Sequence, residues 1–64
     1  MNSQQIKAIA RTLAASLATN ESVRFVAAHG YKETAGLPSH MTEAERFELL
    51  NAIQDEAKEI EATL

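Results

Sequence analysis

"MTEAERFELLNAIQDEAKEIEATL", residues 41–64, decides the fold, because it carries a helix start and a long apolar edge in more than a third of the chain. Thr42 followed three residues later by Glu45 is a capping box, and Glu43 sets a carboxylate against the positive end of the helix dipole. These signals predict a helix over residues 43–62. From Leu50 onward, Leu50, Ile53, Ala57, Ile60 and Leu64 step by 3, 4, 3 and 4, the period of a seam between paired helices, and Phe47 and Leu49 widen the stripe at its start. The repeat is shorter than the roughly three to four heptads that define a coiled coil, so it calls for a partner helix without saying whether that helix belongs to the same chain or to a second copy.

Working back toward the N-terminus, Ile6, Ile9, Ala10, Leu13 and Leu17 recur at helical spacing and predict a helix over 4–18, with Ser3 as its cap. Ala10 and Ala14 lie along one edge, where they would let another helix come close, although alanine also favours helix for its own sake. Lys7 and Arg11, four apart, share a flank. A second, short helix is predicted over 21–29, opened by Asn20 and closed by Gly30. Within it Val23, Val26 and Ala27 face one way and Phe25 nearly the other, so the helix is expected either to be sandwiched between the other two or to place Phe25 in an interface. Residues 30–42 form the remaining loop, around "YKETAGLPSHM", aperiodic and broken by Gly36 and Pro38. It exceeds the roughly 2–8 residues usual between helices, and either carries function or folds Tyr31, Leu37 and Met41 back onto the core.

A chain of 64 residues with no cysteine, two glycines and one proline builds one small domain, residues 1–64, without disulfides or thiolate–zinc sites. Packing alone in so small a core supplies on the order of 3–5 kcal/mol, and self-association is one way to bury more surface. The expected fold is all-α: a long, short, long three-helix domain with antiparallel end helices, forming a homodimer. No stretch approaches the roughly 18 apolar residues of a membrane span, and a soluble, cytoplasmic protein is expected. The first twenty residues have bases, serines and alanines but no acid, in the manner of a transit peptide; an ordinary first helix is the preferred explanation.

The net charge of −3 is unevenly divided. Residues 1–32 set Lys7, Arg11, Arg24 and Lys32 against Glu21, a net +3, whereas residues 33–64 set Arg46 and Lys58 against eight acids, a net −6. On the third helix Glu45, Glu48, Asp55, Glu56 and Glu59 form a band away from the seam, with few bases at the favourable four-residue spacing. Such a band is either a solvated face or a recognition ridge for a protein with a basic groove.

Catalytic and metal chemistry finds little purchase. His29 and His40 are eleven apart and share no helical face; a His29–Glu33 pair has ligand spacing only in a helix continued through Gly30; and Ser39 next to His40 is adjacency rather than a nucleophile–base geometry. No enzyme activity, cofactor or metal is expected. "VAAHGYKETAGL" has the outline of a helix-turn-helix, but Gly36 and Pro38 fall where the recognition helix would run. The expected function is a non-enzymatic interaction module, a regulator or inhibitor binding a partner protein through Glu48, Asp55 and Glu59, through Tyr31 and the 31–41 loop, or through both. Leu50, Ile53, Ala57, Ile60 and Leu64 are assigned to the core or a dimer seam. The alternative is a dimeric DNA-binding regulator using Lys7, Arg11 and Arg24, and a third is an oligomerisation module without a ligand.

Overall fold

Among the described residues three helices build the fold: α1 (Ser3–Ala15), α2 (Asn20–His29) and α3 (Glu43–Glu61). The computed structural model describes residues 1–32 and 36–64, so part of the predicted loop, including the Glu33 of the His29–Glu33 spacing, lies outside the described residues. The chain is all-helical among the described residues, with no strand.

Each helix starts where a side chain satisfies its first free amides. At α3 the Thr42 hydroxyl accepts from the Glu45 amide at 3.1 Å while the Glu45 carboxylate accepts from the Thr42 amide at 2.9 Å, the predicted capping box. α1 begins with the same device one residue earlier than predicted: Asn2, not Ser3, is the cap, and Asn2 and Gln5 exchange side-chain-to-amide bonds at 2.9 Å each. α2 is capped by Thr19 rather than Asn20, with the Ser22 amide donating to the Thr19 hydroxyl at 3.0 Å. α1 ends at Ala15 instead of reaching residue 18, because the Ser16 amide is shared between the Thr12 and Leu13 carbonyls and the Leu17 amide closes three residues back on Ala14, tightening the last turn. Gly30 stops α2 as expected, at φ +87° and ψ 164°.

The antiparallel arrangement predicted for the end helices is corrected by two ion pairs. The Met1 ammonium lies 3.0 Å from Glu45 and Arg11 Nε lies 3.8 Å from Glu56, so ten residues along α1 match eleven along α3 and the two helices run in the same direction. The physical reason is the count of reversals. Only residues 16–19 separate α1 from α2, so α2 starts near the C-terminal end of α3 and runs back until Ala27 meets Gln54; a second reversal restores the original direction in α3. The length of the 30–42 loop follows as well, since α2 stops beside Gln54 and the chain must still reach Thr42, roughly 18 Å further down the axis of α3 at 1.5 Å per residue.

α3 is the central element. It packs against both α1 and α2, which barely touch each other, so the sandwiched middle helix gives way to a sandwiched third one. Glu56, facing α1, and Gln54, facing α2, point about 160° apart on α3, which places its two neighbours on opposite flanks. The core consists of Ile6, Ala10, Val26, Ala27, Met41, Leu49, Ile53 and Ala57, with Ile9, Leu13, Leu17, Tyr31, Leu37 and Ala52 packed around it. Buried alanines stand on all three helices, Ala10 and Ala14 among them, so the edge that permits close approach is used for that purpose.

Because α3 is flanked on both sides, its buried stripe runs through Leu49, Ile53 and Ala57 rather than along the predicted seam. Ile53 and Ala57 of that seam are fully buried inside this chain, Leu50 and Ile60 are half-buried, and Leu64 is exposed. Among the described residues no helix is long and apolar enough to cross a membrane.

Candidate interaction surface

The acidic residues singled out in the sequence stand together. Glu48, Asp55 and Glu59 are all exposed on α3, and at 100° per residue they fall within an arc of about 40° on the side away from the Leu49–Ile53–Ala57 stripe. Among the described residues none of the three is in an ion pair. Eleven residues separate Glu48 from Glu59, so the ridge extends about 16 Å along a helix fixed at its start by a capping box and along its length by the core.

The other acids of the band have different roles. Glu45 is absorbed by the start of α3: the Thr42 amide bond is the main reason its carboxyl lies well below the ordinary range, at about 2 instead of 4.5, with the Met1 ammonium helping. Glu56 faces Arg11 across the α1–α3 junction.

Tyr31 is not part of this ridge. It is half-buried and packs on the core, and its hydroxyl and the Leu13 side chain both stand 3.9 Å from where a methyl on Gly36 would lie, so Tyr31, Leu13 and Gly36 come close together. With Leu37 half-buried and Met41 buried, Tyr31, Leu37 and Met41 fold back on the core. Tyr31 also borders a shallow hollow of about 410 Å³ with Leu17, Phe25, Val26 and Lys32. Phe25 remains 53% exposed, its ring 4.8 Å from that of His29.

The three basic residues of the DNA-binding alternative do not form one patch within a chain. Lys7 and Arg11 lie on α1 and Arg24 on α2, helices on opposite flanks of α3. Among the described residues no three metal-ligating side chains come together.

Sequence reasoning missed Phe47 as a surface residue. It is 70% exposed and, with Glu43, Ala44, Arg46 and Leu50, lines an open hollow on the stretch of α3 beyond the end of α2. Its position six residues before Ile53, about 120° around the helix, was the available signal. No family model, curated protein or solved structure matches the chain.

Proposed function

We propose that this chain is a non-enzymatic protein–protein interaction module, a small regulator or inhibitor, which docks on basic side chains of its partner through Glu48, Asp55 and Glu59 and works as a homodimer. The observation that supports this reading is the alignment of three exposed carboxylates, in no ion pair among the described residues, on the helix that packs against both of the others. Charges held on a rigid helix steer a complementary surface into register more than they add raw affinity. Phe47 lies at the N-terminal end of the same helix and offers an aromatic anchor beside the charged ridge. Tyr31 is committed to the core, so the ridge takes precedence over the loop.

The test compares the wild-type chain with a Glu48→Lys/Asp55→Lys/Glu59→Lys variant, both confirmed helical by circular dichroism, as immobilised baits in lysate of the cell that makes the protein. At about 50 mM salt, where exposed charges still interact across roughly 14 Å, the wild type retains a protein that the variant does not. Identical retention by both baits would remove the ridge from consideration.

A further inference from the structure

We infer that the partner of the ridge is a second copy of this chain, seated two-fold on the face shared by α1 and α3; this rests on the ridge being a docking surface and names its occupant. The decisive juxtaposition is that the chain's own basic strip lies beside its acidic one. Ile9 and Leu13 are half-buried on the loop side of α1, with Leu13 against Gly36, while Lys7 and Arg11 are exposed on the other flank, where Arg11 reaches Glu56. On α3 the ridge begins about 60° around from Glu56, at Glu59. A positive strip and a negative strip therefore run side by side along two parallel helices.

Their levels also correspond. The ion pair sets Arg11 level with Glu56 and hence with Asp55, and Lys7, about 6 Å lower, falls between the levels of Glu48 and Asp55. A two-fold axis laid along the groove between α1 and α3 carries α1 of one copy over α3 of the other without changing those levels. Arg11 then faces Asp55 of the other copy, and Lys7 sits between its Glu48 and Asp55, twice over by symmetry. An axis laid across the helices instead stacks α1 on α1 and α3 on α3, setting like charges against each other. Ala8 and Ala15, small and exposed beside Arg11, let the second copy come close. Arg11 keeps 69% of its side chain exposed despite its contact with Glu56, so its guanidinium has donors to spare. Solvent-exposed pairs are weak singly and screened by salt, so the dimer is weak and salt-sensitive.

The experiment is sedimentation equilibrium of the wild type, of Lys7→Glu/Arg11→Glu and of Glu48→Lys/Asp55→Lys, each alone and the two variants mixed, with helicity checked throughout. The expected result is a wild-type dimer weakened by about tenfold or more between roughly 50 and 500 mM salt. Each variant alone is monomeric, and their mixture restores a heterodimer. If a reversed chain fails to fold, the neutral Lys7→Gln/Arg11→Gln chain replaces it and weakens the dimer. A wild type that stays monomeric at every concentration, or a dimer indifferent to both reversals, overturns the inference. In that event a lysate partner still lost by the ridge variant would identify the occupant as a foreign basic protein and leave the ridge reading standing; no such loss would remove both.

Discussion

Gln54 Nε2 donates to the carbonyl of Ala27 at 3.0 Å, a bond across 27 residues of sequence that ties the last turn of α2 to the middle of α3. Ala27 follows Val26, whose carbonyl takes the closing bond from the Gly30 amide, and so lies among the last carbonyls that the helix leaves without a partner; Gln54 acts as a cap supplied by another element. Gln54→Leu keeps the bulk and removes the donor, leaving a carbonyl on a buried residue unsatisfied at a cost of about 1–3 kcal/mol. In a domain of this size each kcal/mol lowers the melting temperature by about 4–8 °C. Thermal denaturation followed by circular dichroism measures the loss, and hydrogen exchange should localise it to the C-terminal turn of α2. An unchanged melting temperature would show that water replaces Gln54 without penalty.

Gly30 ends α2 at φ +87°, where side chains of L-residues are strained. Space is not the obstacle: a methyl placed there meets only Gln54 Oε1, at an ordinary 3.8 Å. The cost of Gly30→Ala is therefore conformational, about 1–3 kcal/mol. A synthetic chain with D-alanine at position 30 should retain wild-type stability, since the mirror-image residue accepts positive φ. Equal destabilisation by both alanines would show that the positive φ is not the source of the cost.

The legibility of this fold divides along physical lines. The start of α3 was plain because Thr42 and Glu45 are local partners, and Gly30 because a helix end needs a residue free of Cβ strain. Asn2 and Gln5 obey the same spacing rule as Thr42 and Glu45, so the cap of α1 was readable too, masked by the more obvious Ser3. Direction and neighbourhood were not. Whether α3 lies between the other helices is a matter of tertiary packing, and it moves the buried stripe from Leu50 to Leu49 without altering any local propensity. The ridge of Glu48, Asp55 and Glu59 was visible as a helical periodicity, whereas the exposure of Phe47 depends on α2 stopping at the level of Gln54.

Glu45 gives stability a defined pH dependence. Its carboxyl titrates at about 2 in the folded chain against an ordinary 4.5, so the native state holds the ionised form more tightly than the unfolded chain does. The sign follows: this contribution is fully present above pH 4.5 and is lost as pH falls through the interval down to about 2. Glu45→Gln preserves the capping geometry, as Gln5 shows at α1, but cannot titrate. The difference in stability between wild type and variant should therefore shrink or reverse from pH 5 to pH 2, measured by urea denaturation at matched salt. Parallel pH profiles for the two chains would mean that the folded and unfolded carboxyls titrate alike.

Leu49 and Leu50 are neighbours with opposite assignments, and they separate an intramolecular stripe from an intermolecular seam. Leu49 is fully buried with Ile53 and Ala57, whereas Leu50 is half-buried beside the open hollow at Phe47. Leu49→Ala should cost about 2–5 kcal/mol, most or all of the stability of so small a core. Leu50→Ala removes the same atoms from a site that was already partly in water, so its transfer and cavity costs are both smaller, and the chain should remain folded. Urea denaturation of the two variants, at a concentration low enough to keep every species monomeric, reads the difference directly. A larger loss at Leu50 would return the seam that begins there to the core and require α3 to be rotated by about one residue about its axis.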